Sequence, residues 1–368
     1  DQVLDTSVMV GAIPAIYGWS GGPVPLATYF AMARGAQGDT HDASCGHAHH
    51  GHGHGVPAQE MTKWFDTNYH YMVPELSKDQ QFTLASRKPI EEYEEAKALG
   101  YQTRPVLVGP VTFLKLAKSK DVSFEPLSLL DRLLPVYIEV LRELAKRGAE
   151  WVQIDEPCLV LDLDDAARNA LRHAYAEISQ AVPQVKIMLA SYFGSLGANR
   201  DTAFALPVAG LHFDLVRAPE QLDDLARLPA DRVVSLGVLD GRNIWRADLS
   251  KLLDRLEPVV AKLGKDRVQI APSCSMLHVP IDLALEAKLD AEVKSWLAFS
   301  VQKIEELAAL GTALAAGRAS IADALKASDA AAAARKTSPR IHDPKVASRL
   351  AAVDAAMRCR ASPFEERA

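Results

Sequence analysis

Residues Trp151–Pro157 read Trp-Val-Gln-Ile-Asp-Glu-Pro, an apolar run that ends in two carboxylates and a proline. A helical pattern closing on Lys146-Arg147-Gly148 precedes it. Helix, glycine stop, apolar strand and polar tip, in that order, make an α/β unit. Ligands of such units gather at the carboxyl ends of parallel strands, so chemistry is expected at the tip. Asp155 and Glu156 are neighbours and strand side chains alternate faces, so the two should point apart unless the strand has already ended. Pro157 lacks the N–H that a ladder needs and stops the strand. Both carboxylates are candidate cleft residues; the plainer reading is that Asp155 caps the following loop.

The same grammar repeats along the chain. Candidate strands lie near Phe82–Ala85, Arg104–Val108, Val152–Ile154, Val185–Ser191, Leu211–Val216, Val233–Val238 and Val268–Ala271, separated by helical patterns such as Leu127–Lys146, Asp164–Ser179 and Leu249–Leu263. Tyr69–Val73 is a further possible strand, and Leu283–Leu310 reads as one long helix. Strand–helix alternation at this spacing predicts a parallel sheet with right-handed crossovers. No Gly-x-Gly-x-x-Gly follows any strand, so an α/β barrel of the (β/α)8 type fits better than a doubly wound sheet. The chain opens at Asp1 in what reads as mid-helix, and the first strand or strands of the barrel are expected upstream of it. Residues 1–317 are assigned to the barrel and 318–368 to a helical tail.

The 368 residues are 48% hydrophobic and 24% charged, with a formal net charge of −6. This is ordinary globular composition. The mild acidity and lack of a basic stripe argue against a nucleic-acid partner, and no apolar run is long enough for a bilayer. Cys45, Cys158, Cys274 and Cys359 follow no disulfide or Cys-x-x-Cys pattern, which suits a reducing cytoplasm.

Four places invite chemistry. A His-rich loop at 41–55 carries His41, His47, His49, His50, His52 and His54 around Cys45; imidazole and thiolate bind zinc, nickel or copper, but alternating glycines supply no rigid geometry, so weak adventitious binding is expected. Lys63 sits among the aromatics Trp64, Phe65, Tyr69 and Tyr71, either offering a cation to an anionic ligand or simply being exposed beside a core cluster. Arg242 and Arg246 follow a strand and could hold a carboxylate or pair with a neighbouring tip. Cys274 and His278 follow the last strand; a single Cys and His fall short of the three or four protein ligands of a zinc site.

At four stretches the sequence becomes specific: Met-Thr-Lys-Trp-Phe-Asp-Thr-Asn-Tyr-His-Tyr-Met-Val-Pro-Glu at 61–75, Leu-Ala-Lys-Arg-Gly-Ala-Glu-Trp-Val-Gln-Ile-Asp-Glu-Pro at 144–157, Asp-Gly-Arg-Asn-Ile-Trp-Arg-Ala-Asp-Leu at 240–249, and Leu-Asp-Ala-Glu-Val-Lys-Ser-Trp-Leu-Ala-Phe at 289–299. These closely resemble the amino-terminal half of cobalamin-independent methionine synthase, and the likeness runs over nearly the whole chain apart from 41–57. The resemblance implies two (β/α)8 barrels face to face, transferring a methyl group from 5-methyltetrahydropteroyltri-L-glutamate to L-homocysteine to make methionine. It implies zinc in the carboxy-terminal barrel, where one His, two Cys and one Glu hold the ion, and none required by the amino-terminal one. Lys63 matches the family's folate-binding lysine, suited to glutamate carboxylates. The chain then stops near the inter-barrel linker, and alone it should not turn over; the full-length protein is expected to be a monomer. Cys274 corresponds to one zinc ligand of the other half, whereas Ser191-Tyr192-Phe193 lacks the partner His and Cys, as in a duplicated barrel that lost its metal. The alternative is a stand-alone barrel acting as a scaffold or as a metal-binding module through the His-rich loop.

Overall fold

The computed structural model describes residues 2–37 and 55–367. By contact they fall into two compact units, one of 1–242 and 263–278, the other of 243–262 and 279–368. The boundary expected at 317/318 lies inside the second of these.

The first unit opens with helix α1 (Gln2–Met9), stopped by Gly11 at φ +70°, and α2 (Leu26–Arg34). A two-stranded antiparallel hairpin follows, β1 (Met61–Lys63) with β2 (His70–Met72). Next comes α3 (Lys88–Ala98). The main sheet is made by β3 (Val106–Val108), β4 (Trp151–Asp155), β5 (Lys186–Ala190), β6 (Gly210–Asp214), β7 (Val233–Leu239) and β8 (Val268–Pro272). It is six-stranded, wholly parallel, and ordered as the strands occur in the chain. Between the strands run α4 (Pro110–Leu116), α5 (Leu130–Lys146), α6 (Asp165–Ala181), α7 (Arg200–Ala205), a 3-10 helix at Pro219–Arg227, and α8 (Leu249–Leu263).

An α/β fold with a parallel sheet is therefore present, but a closed eight-stranded barrel is not. Among the described residues β3 and β8 are unpaired edges. One expected strand fails for an identifiable reason, and another forms outside the main sheet. At Phe82–Ala85 the amides of Thr83 and Ala85 donate to the Val10 and Met9 carbonyls, at 3.2 and 2.9 Å, and so cap the end of α1 instead of entering a ladder. Tyr69–Val73 supplies β2, which pairs with β1 and stays out of the main sheet.

The register explains the shape of the sheet. One row across it reads Leu107, Ile154, Leu189, Leu211, Val234 and Val268. These are aliphatic, and all but Val268 are buried. The next row contains Asp155, Ala190, His212, Ser235 and Gln269. Period-two alternation puts the two rows on opposite faces. In a flat sheet β3 and β8 would stand about 24 Å apart, five spacings of about 4.8 Å. Yet Arg104, two residues before β3, donates from Nη1 to Oε1 of Gln269 on β8 at 2.9 Å. Only a strongly curled sheet, with the polar row inside, brings its edges that close.

Behind the sheet Glu156 is fully buried. Its two oxygens accept from the amides of Val111 (3.2 Å) and Thr112 (2.7 Å) in the first turn of α4, and Tyr175 on α6 donates to it at 3.3 Å. Burial pushes its carboxyl up to about 7. Gly109 precedes α4 because a Cβ there would lie 2.1 Å from the Glu156 Cδ.

The second unit is helical: α8 for most of its length, α9 (Ala291–Ser295), α10 (Ser300–Ala316), α11 (Ala322–Thr337), α12 (Pro344–Ala351) and α13 (Ala355–Arg358). The single helix expected over Leu283–Leu310 is broken. Asp282 and Asp290 accept from the Ala284 and Val293 amides (2.9 and 3.1 Å), each starting a separate turn. Leu283, Leu297 and Phe299 make its small apolar cluster.

Two outcomes follow from Glu156. Gly109→Ala should destabilise the fold by about 2–4 kcal/mol, because a rigid, doubly bonded carboxylate cannot retreat from the new methyl group; urea unfolding measures it. Glu156→Gln removes a group whose folded pKa lies above its unfolded one. Such a group holds its proton in the folded state between pH 4.5 and about 7, so its stabilising contribution is full below that window and is lost as pH rises through it. Unfolding free energies across this range should show the parent losing stability relative to the variant as pH rises. In the variant one amide donor loses its acceptor, which offsets the whole curve; the slope carries the test.

Candidate functional site at the strand tips

The β1–β2 hairpin supplies the first half of the site. Trp64 is buried and meets Phe65 and Tyr71 edge-on, with centroids 5.1 and 5.8 Å apart. The loop closes where Trp64 N donates to Tyr69 O (2.7 Å) and Thr67 Oγ1 donates to Trp64 O (2.7 Å). Lys63 is exposed at the end of β1, opposite His70, and forms no ion pair among the described residues. Phe65 takes the left-handed conformation at φ +51°.

The strand tips supply the second half. After β5, Phe193 is also left-handed, at φ +79°. Its amide donates to Asp214 Oδ2 (2.9 Å), at the end of β6, whose other oxygen accepts from Val216 N (3.1 Å) and Arg217 N (2.9 Å). The Phe193 ring touches Tyr192, Phe65 and His278 at 4.7, 5.7 and 5.8 Å, and Arg242, after β7, lies over it at 5.1 Å. Arg242 Nη1 donates to Asp66 Oδ1 at 2.7 Å and Nη2 to the Asp66 carbonyl at 3.0 Å; Arg217 donates to Asp66 Oδ2. The hairpin tip thus sits against the carboxyl ends of the sheet.

His278 stands edge-on to Tyr69 as well, at 6.2 Å. Its Nε2 is buried with no hydrogen-bond partner among the described residues, and burial, with the Arg242 charge second, lowers its pKa. Cys274 is buried with Sγ 3.7 Å from the Ser275 carbonyl, and burial pushes its thiol up to about 12. Unless a metal ion binds it, a thiol so shifted stays protonated at neutral pH and is then a poor nucleophile.

Inside the curled sheet, Asp155 accepts from Gln153 Nε2 (2.8 Å) and from the Tyr192 hydroxyl (2.9 Å). Burial raises its carboxyl to about 6, against those bonds and the charge of Arg104. His212 Nε2 donates to the Ser273 carbonyl at 3.2 Å, which leaves Nδ1 to accept from Ser235 Oγ at 2.9 Å. That is a neutral ring, and burial lowers its pKa to about 4.

Of the residues singled out from the sequence, Arg242 and His278 join the cluster under the Lys63 hairpin. Cys274 lies beside it under Gly241, where a Cβ would come within 2.9 Å of its Sγ. Asp155 faces the interior and Glu156 the helices behind, as alternation requires. Arg246 belongs to the second unit. Residues 47, 49, 50, 52 and 54, with the rest of 38–54, lie outside the described residues. Sequence reading missed Asp66, Arg217, Phe193 and the His212–Ser235 pair. Asp66 stands three residues from Lys63 in a stretch already noted, but nothing local names its arginines. Among the described residues no three His, Cys, Asp or Glu side chains converge to hold a metal, and no helix is long and apolar enough to cross a membrane.

Comparison with known proteins places these features. Residues 1–264 match the family model described as "Cobalamin-independent synthase, N-terminal domain". A 5-methyltetrahydropteroyltriglutamate--homocysteine methyltransferase from Nitrobacter winogradskyi is 70% identical, covering 100% of this chain and 48% of its own. The protein of the same name from Bradyrhizobium diazoefficiens is 65% identical, covering 100% and 47%. The chain spans about half the length of the curated relatives it matches. Among solved structures, a B12-independent methionine synthase from Shewanella sp. W3-18-1 aligns at TM-score 0.47 and 16% identity, over 73% of this chain and 76% of that one. On the family model and these identities, the chain belongs to the cobalamin-independent synthase family and corresponds to its N-terminal domain.

Proposed function

We propose that this chain is the amino-terminal half of a cobalamin-independent methionine synthase. The whole protein would transfer a methyl group from 5-methyltetrahydropteroyltri-L-glutamate to L-homocysteine. The observation that carries the reading is the 70% identity, across all of this chain, to a relative bearing that name. This half would shape the cleft and bind the folate's polyglutamate tail through Lys63. An exposed ammonium on a hairpin anchored at the strand tips suits a flexible polycarboxylate, which needs a reachable cation and no deep pocket. The six parallel strands would be part of a (β/α)8 barrel; the edge-to-edge bond from Arg104 to Gln269 supports that curvature.

The family resemblance implies a zinc ion that would hold the homocysteine thiol as thiolate in the whole protein. The described residues here do not fit the ion, because no three ligand side chains converge. The zinc ligands and the homocysteine site would lie in the carboxy-terminal half of the parent protein, and this half alone would not turn over. Cys158, Cys274 and Cys359 are free thiols, in keeping with the cytoplasmic location we propose. A monomeric full-length protein completes the reading.

Lys63→Ala in the full-length enzyme should weaken binding of the triglutamate substrate about tenfold, the size of one lost charge-assisted contact, while zinc content stays unchanged. Titration calorimetry with metal analysis checks both. An unaltered affinity would remove Lys63 from the site.

A further inference from the structure

We propose that Asp66 is a positioning residue: by holding Arg217 and Arg242 together, its carboxylate fixes the hairpin that carries Lys63 against the ends of the main sheet. It thereby sets where the Lys63 ammonium meets an anionic ligand. The proposal rests on the reading of Lys63 given above.

The argument begins with the hairpin's size. Its arms are three residues each, and a ribbon that short does not hold its place unaided. Trp64 anchors the base in the core. The tip is held by Asp66. Arg217 binds one carboxylate oxygen, Arg242 the other, and the second arm of Arg242 binds the Asp66 carbonyl. Exposed single ion pairs contribute little stability. Here, however, the two cations come from the ends of different strands, β6 and β7, and charge-assisted bonds in fork geometry are directional. Their output is position.

Backbone strain shows how much that position matters. Among the described residues Phe65 and Phe193 are the only non-glycine residues at positive φ, and their rings face each other at 5.7 Å. Such conformations persist only where the surroundings impose them. Arg242 acts on both sides of this contact, over the Phe193 ring and on the residue after Phe65. Lys63 lies three residues before Asp66 and has no ion pair of its own among the described residues. Its location is therefore inherited from the hairpin.

The test uses the full-length enzyme with 5-methyltetrahydropteroyltriglutamate, comparing Asp66→Asn, Lys63→Ala and the double variant. Asp66→Asn should raise KM by on the order of tenfold and affect kcat less. It should add little to Lys63→Ala, since a misplaced cation and a missing one fail alike. Asp66→Glu should recover part of the loss. If Asp66→Asn does not fold, Arg217→Gln cuts one arm and should give a smaller shift of the same kind. An unmoved KM, or a loss fully additive with Lys63→Ala, overturns the positioning role. If Lys63→Ala itself leaves KM unmoved, the Lys63 reading has failed; if it responds while Asp66→Asn does not, only the positioning role has.

Discussion

The structure depends on finding partners for a polar row inside a parallel sheet. Asp155, His212, Ser235 and Gln269 share one level of the sheet and one face. Left unpaired there, each would cost more than its neighbours' aliphatic packing returns. Curling the sheet lets them satisfy one another and the groups above them: Tyr192 and Gln153 on Asp155, Ser235 and the Ser273 carbonyl on His212, Arg104 on Gln269. The aliphatic row then faces outward onto helices, where α5 buries Leu133, Tyr137, Val140, Leu141 and Leu144. Curvature, helix cover and the grouping of strand tips at one end all descend from that arrangement.

The two carboxylates at the end of β4 divide the labour of that end. Asp155 looks inward and ties β4 to the turn after β5 through Tyr192. Glu156 looks outward and ties the same strand end to α4 and α6. Both are buried and both carboxyls are shifted upward by burial. Shifted carboxyls of this kind often mark catalytic centres, but here every partner is a structural group of the chain itself.

Much of the fold was legible. The main-sheet strands announce themselves as short apolar runs, β3, β4 and β8 after stops at Gly100, Gly148 and Gly264, and the helices as 3.6-residue patterns. What failed was local competition. Met9 and Val10 take the amides that Phe82–Ala85 would have spent on a ladder, and Asp282 and Asp290 start separate turns, one before and one inside an apparently continuous helix. The site was legible only in pieces. Arg242 and His278 stood out as polar groups after strands, and Lys63 through a long family motif. Asp66 looked unremarkable because its meaning lies in arginines 151 and 176 residues further on, a distance over which no spacing rule operates.

The Arg104–Gln269 bond has a consequence for how the chain reaches this shape. Its ends are 165 residues apart, and every intervening crossover must be in place before they can meet. Contacts of such separation carry a large loop-closure cost, which is recovered only when the rest of the sheet is already assembled. The outer strands β3 and β8 should accordingly be drawn together late, and among the described residues β3 keeps an edge with no ladder partner. Its three-residue length, and the packing of α1 beside it, limit the time and surface available for pairing with another chain.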